Sequence, residues 1–196
     1  MDIVKKVTEK FGKIPTFITY KDLCHFLDLK YGKVTSIGDE IFDAGEILAK
    51  ASPRKQFLIL LHNDLNETAH RMINTLTRGI YGPPHKHTDP NTSEEFMAVR
   101  GAVCVFEFSE VGGIIGKFPI GEGYQSNLVE IKPGSIHSVL CLTETATCFE
   151  IKGQTKYDQT ADKSFYPWSP KEGDPEVPGY LGELYSQLDP VRSPKS

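Results

Sequence analysis

From about residue 70 onward the chain is a succession of short apolar runs separated by turn-forming residues, and this pattern restricts the fold more than any other feature. Arg71-Met72-Ile73-Asn74-Thr75-Leu76 leads to Gly82-Pro83-Pro84, and Glu95 to Val99 closes on Arg100-Gly101. Ala102 to Phe108 follows at once, then Gly112-Gly113, then Ile114 to Ile120. Leu128 to Ile131 precedes Lys132-Pro133-Gly134, and Ser138 to Leu142 and Ala146 to Ile151 flank Thr143-Glu144-Thr145. Turns this short join antiparallel strands, because parallel ones need long crossovers. The expected fold class is therefore all-β, a sandwich or small antiparallel barrel.

The flanks read differently. Tyr20, Leu23, Cys24, Leu27 and Leu29 follow helical spacing with Gly32 as a stop, so residues 1–35 are expected to form a helical N-terminal extension. Residues 36–196 would then hold the barrel domain with a helical lead-in over 39–51, ended by Ser52-Pro53. Phe57 to His62 reads as a buried strand. Beyond Gly153, prolines at 167, 170, 175, 178, 190 and 194 imply a wrapping tail with one short helix near Tyr180 to Leu188.

A chain of 196 residues can bury a self-sufficient core. No apolar run approaches the ~18 residues of a membrane span. A net charge of −4 disfavours a nucleic-acid partner. Met1-Asp2-Ile3-Val4-Lys5-Lys6 carries no apolar leader, and Cys24, Cys104, Cys141 and Cys148 form no C-x-x-C pair. Both point to reduced thiols in a cytoplasmic protein. A Cys141–Cys148 disulfide across a hairpin is the alternative.

The chemistry concentrates around His85-Lys86-His87. On a strand, residues i and i+2 share a face, so both imidazoles project together and can grip one divalent ion. Glu94 opens the next strand-like run and can add a carboxylate oxygen, and Pro133-Gly134-Ser135-Ile136-His137 places a further imidazole after a tight turn. A lone His-x-His is a weak signal; its combination with the flanking glycines, the glutamate and the distant Pro-Gly-x-x-His is much more specific.

Gly79 to Gly101 resembles the first motif of the cupin family, and Pro133 to His137 resembles the second. The resemblance implies an antiparallel jelly-roll barrel with a metal in its mouth, held by His85, His87, Glu94 and His137. Two departures stand out. Six residues separate His87 from Glu94, longer than the family's gap, which makes Glu95 a rival ligand. Cys141 occupies the position where the second motif carries Asn. Within the cupins, Ser52-Pro53-Arg54, Leu61-His62, His70 to Asn74, Val99-Arg100-Gly101, Phe149 to Gly153 and Phe165 to Pro170 resemble the WbuC-type metalloproteins over about residues 39–188. That likeness implies a setting in O-antigen and lipopolysaccharide biosynthesis and a carbohydrate-like ligand, with a homodimer as a candidate assembly.

A His₃Glu set suits Fe, Mn, Ni or Zn, and in a six-coordinate ion it leaves two positions for substrate. Around it, Arg54, Arg71, Asn74 and Arg100 are candidate substrate-binding residues, since a guanidinium offers a planar fork of donors. Tyr81, Arg71 and His62 are candidate catalytic groups, and Trp168 is expected to cap the mouth or anchor the tail. Three functions stay open: a metal-dependent isomerase or epimerase acting on a small carbohydrate or nucleotide-sugar, an Fe(II) dioxygenase, and a non-catalytic sugar- or metabolite-binding protein.

Overall fold

The computed structural model describes residues 2–154 and 162–188. The chain begins with α1 (Ile3–Phe11), β1 (Phe17–Thr19), α2 (Tyr20–Leu27) and α3 (Asp39–Ala51). The strands β2 (Gln56–Leu60), β3 (Ala69–Thr77), β4 (His85–His87), β5 (Ser93–Arg100), β6 (Ala102–Phe108) and β7 (Ile114–Gly121) follow. They continue with β8 (Leu128–Ile131), β9 (Ile136–Cys141), β10 (Thr145–Gly153) and β11 (Lys163–Phe165), and α4 (Val177–Ser186) ends the described chain.

The strands form two sheets, ordered β1-β2-β3-β10-β5-β8 and β11-β4-β9-β6-β7. Every pairing is antiparallel except β1 with β2. Leu76 and Phe96 of the first sheet meet Val103, Val105 and Cys141 of the second in a shared core, so the sheets lie face to face. This arrangement fits a jelly roll, but as two separate sheets rather than a closed barrel. The all-β expectation needs correction as well, because four helices cover the outer faces.

Each outer face has its own cover, and sequence periodicity explains why. In α3, Ile41, Ala44, Gly45, Leu48 and Ala49 fall at i, i+3, i+4, i+7 and i+8, one helical stripe. That stripe packs on Phe57, Ile59 and Ile73 together with Val7, Leu23 and Cys24 from the first two helices. Gly45 allows the close approach, since a Cβ there would stand 2.8 Å from Thr75 Oγ1. On the far side, Leu181 and Leu184 of α4 cover Ala102, Cys104 and Phe106. β6 is thus buried on both faces, which accounts for its unbroken apolar run. The sharp reversal from β5 into β6 is made by Gly101 at φ +63°, where a Cβ would lie 2.4 Å from the Thr145 carbonyl.

Residues 1–35 supply a strand as well as two helices: Phe17–Thr19 pairs in parallel with β2 and extends the first sheet. Three residues give no readable period, so helical spacing alone carried that reading. The four cysteines are free and buried. Burial pushes the Cys141 thiol up to about 11. Among the described residues no helix is long and apolar enough to cross a membrane.

Candidate metal centre

Pro83-Pro84 holds the backbone extended into β4, whose first and last residues are His85 and His87. His85 sits directly opposite His137 of β9, and the two rings lie 4.5 Å apart between centroids. One ring nitrogen from each of His85, His87 and His137 falls within 4.8 Å of the others, and all three residues are buried. Ligands about 2.1 Å from one ion stand roughly 3 Å apart, so modest side-chain rotation closes the set around a divalent metal.

Glu94, 4% exposed, reaches His87 and His137 from β5. Its Oε2 lies 3.0 Å from His137 Nε2 and its Oε1 lies 2.9 Å from His87 Nε2. Glu95 alternates to the other face of β5 and takes the Ser93 hydroxyl at 3.3 Å. Strand alternation therefore brings Glu94, and not its rival, to the histidines.

Backbone carbonyls orient two of the rings. Nδ1 of His85 donates to the Pro83 carbonyl (2.9 Å) and Nδ1 of His137 to the Ser135 carbonyl (3.1 Å). A carbonyl only accepts, so Nδ1 carries the proton in both and Nε2 is left as the ligand atom. His85 Nε2 is buried with no hydrogen-bond partner, and neither ring nitrogen of His87 makes a well-aligned bond. Nδ1 of His87 lies 3.5 Å from Asp162, which also pairs with Lys152 at 2.8 Å. Buried imidazole nitrogens facing one another without partners are what a bound cation would satisfy.

The electrostatics agree. Burial drives His85 well below its ordinary value, which keeps it neutral and ligand-ready. Burial alone would raise the Glu94 carboxyl, but contacts from His137 and His87 overcome it and hold the group well below the usual range. Burial would also lower His87, yet the Asp162 and Glu94 carboxylates raise it to about 9. Without metal, a proton on His87 balances the Glu94 charge.

The centre opens into a cavity of about 1010 Å³ between the sheets. Leu58, Leu60, Met72, Phe96 and Val139 line it, and Glu150, Lys152, Asn74, His62 and His70 supply polar groups. Asn74 and His62 thus stand where a ligand could meet them. Asn74 donates to Glu150 at 2.6 Å and is itself held by Gln56 at 3.0 Å. Arg54 also lines the cavity, at its mouth, paired with Glu172 at 2.8 Å.

Three expected site residues lie elsewhere. Arg71 alternates to the opposite side of β3 and pairs with Glu67 at 3.0 Å. Arg100 binds Asp39, Asp43 and Glu46, fastening β5 to α3. Tyr81 is outside the cavity lining and donates to the Pro170 carbonyl at 2.7 Å, so it ties down the tail. Trp168 does the same through Glu110, at 3.0 Å. Sequence reasoning missed Glu150 and Lys152 as site residues. They follow Cys148 at two-residue steps along β10, and two charges on the inward face of an otherwise apolar strand were the available signal.

A family described as a domain of unknown function, DUF6016, matches residues 37–120. No curated protein matches the sequence significantly. Among solved structures, oxalate oxidase in complex with the substrate analogue glycolate is 16% identical over 82% of this chain and 74% of that chain, with a TM-score of 0.46. The cupin domain of Schizosaccharomyces pombe Cnp3 is 10% identical over 51% of this chain, TM-score 0.40. Bacillus subtilis oxalate decarboxylase is 21% identical over 50%, TM-score 0.38. The chain spans 61% of the Cnp3 domain and 24% of the decarboxylase.

Proposed function

We propose that this chain holds one divalent metal ion, Fe, Mn, Ni or Zn, through His85, His87, Glu94 and His137, and acts as a cupin-type metalloenzyme on a small oxygen-bearing organic ligand. The observation that carries the reading is the convergence of three buried histidines, with His85 Nε2 unpartnered, on a cavity large enough for such a ligand. Bound there, a divalent ion would supply Lewis-acid polarisation of a carbonyl or of vicinal oxygens.

The protein's own groups do the rest. Glu150 is buried on the strand next to Glu94 and lines the same cavity. In the metal-free protein burial first, and then the Glu94 charge, lift it to about 7; a metal on Glu94 would cancel the second cause, so burial is what keeps this carboxyl able to take and return a proton. Asn74 fixes its orientation. Glu150 is therefore our choice of acid–base residue for an isomerase- or epimerase-like reaction. The nucleotide-sugar and surface-polysaccharide setting rests on motif resemblance alone; the apolar walls favour a ligand with an apolar section beside its oxygens.

Elemental analysis of protein purified without added metal or an affinity tag tests the reading, with about one equivalent per chain expected. Iron together with oxygen uptake would favour the dioxygenase alternative; manganese or nickel without it would favour the Lewis-acid route. Failure to bind any of the four ions on reconstitution would overturn the assignment.

The His87 proton gives a second expectation. That imidazole is raised to about 9, so below this pH its proton must leave before the nitrogen can bind a metal. Affinity is expected to climb toward pH 9, by up to about tenfold per unit, and to level off above it. Competition titrations across this range would show it; a flat profile would place the metal away from His87.

A further inference from the structure

We infer that the cavity has a second, distal subsite at His62, which receives an acceptor oxygen at the far end of an elongated ligand whose other end faces the metal centre. The inference rests on the metal reading only for that other end.

Strand register sets the layout. On the inner face of the first sheet, Glu94 of β5, Lys152 of β10 and His70 of β3 lie side by side in one row. His62, two residues past Leu60, extends the row, its ring stacked on His70 at 4.2 Å and 10°. The adjacent row runs Leu60, Met72, Glu150 and Phe96. Three interstrand steps of about 4.8 Å separate Glu94 from His62, roughly 14 Å in all. Both ends line one cavity, with Leu58, Leu60, Met72 and Phe96 as its apolar stretch.

Backbone bonding fixes the tautomer of His62. The Arg71 carbonyl accepts from Leu61 N–H at 2.9 Å. The Arg71 N–H in turn donates to His62 Nδ1 at 3.2 Å, and the Arg71 carbonyl stands 3.1 Å from the same nitrogen. With the proton on Nε2 both backbone groups stay paired, the carbonyl with Leu61 and the N–H with Nδ1, whereas a proton on Nδ1 would take the acceptor from the Arg71 N–H; the proton is therefore assigned to Nε2. His62 is 3% exposed and its Nε2 has no partner in the protein. Folded proteins leave few buried donors unpaired, and one that lines a ligand-sized cavity is explained by an acceptor arriving from within it. The matching ligand carries chelating oxygens at one end, a middle that lies along Leu60, Met72 and Phe96 beside Glu150 and Lys152, and a carbonyl or carboxylate oxygen at the other.

Alkyl hydroxamates test this, since the hydroxamate chelates divalent metals and the chain can be varied. Dissociation constants of octanohydroxamic acid and of its ω-carboxylic and ω-amide counterparts would be measured on the full chain loaded with Mn(II). The oxygen-terminated compounds are expected to bind at least about tenfold tighter than the methyl-terminated one. His62→Phe should erase that preference without changing octanohydroxamate binding. His62→Gln, which keeps an N–H donor, should restore part of it. A stronger carboxylate than amide would identify an anionic ligand class, and the reverse a neutral acceptor; either supports the subsite. Equal binding of all three compounds by the unaltered protein, a preference that survives His62→Phe, or equal loss in both variants would overturn it. The same series on metal-free protein separates the two readings. If Mn(II) fails to tighten octanohydroxamate binding while the terminal preference persists and depends on His62, the metal assignment fails and the subsite stands.

Discussion

A His85→Ala, His87→Ala double variant is expected to lose stoichiometric metal, with affinity reduced at least about 1000-fold. Changing groups that merely orient metal ligands typically costs 10- to 100-fold, and this variant removes two donors outright. The remaining Glu94 and His137 offer one carboxylate and one imidazole, too few donors to hold an ion tightly. The variant should still fold. Both histidines occupy a three-residue strand, outside the large apolar clusters. Elemental analysis beside a thermal unfolding curve separates the two effects. A full equivalent of metal retained by a folded variant would sink the site.

Phe57→Ala is expected to lower stability by about 3–5 kcal/mol, the usual cost of emptying a fully buried aromatic site. Phe57 is 0% exposed and packs in the cluster that joins β2 and β3 to the first three helices. Leu23→Ala in α2 should cost a comparable 2–5 kcal/mol, because Leu23 belongs to the same cluster and is also 0% exposed. Urea unfolding gives both values. If Leu23→Ala left the main transition unchanged while Phe57→Ala shifted it, residues 1–35 would unfold on their own; a common shift would show that they share one core with the sheets.

The strands of the second half were legible because their signals are local. Alternation and turn chemistry mark the run from Ala102 to Phe108 and the hairpin at Thr143-Glu144-Thr145 without reference to anything distant. The α3 stripe and its stop at Ser52-Pro53 were legible for the same reason. What escaped is non-local. Arg100 and Arg71 look like anion-binding groups in sequence, yet partners far along the chain or on the next turn consume them. Whether an arginine faces a cavity or a helix depends on strand register, which no single stretch encodes. Tyr81 precedes the histidines closely, but the intervening Gly-Pro-Pro turns the chain and sends its hydroxyl to Pro170. Glu94 was separable from Glu95 only once β5 was seen pairing with β10 and β8. The cavity row through Lys152 and His70 required the same pairing.

One feature of the centre governs when it can exist. β4 meets β9 through a single residue pair, and its other edge is clasped by β11, where Lys163 faces His87 and Phe165 faces His85. β11 comes from the proline-rich tail, long after the last metal ligand in sequence. During synthesis every ligand therefore leaves the ribosome before the clasp that steadies two of them. The cage closes as a late event of biogenesis, and a single protease cut ahead of β11 would weaken it while leaving both sheets' central strands intact. On the proposed metal reading, loading is in this sense expected to follow completion of the chain.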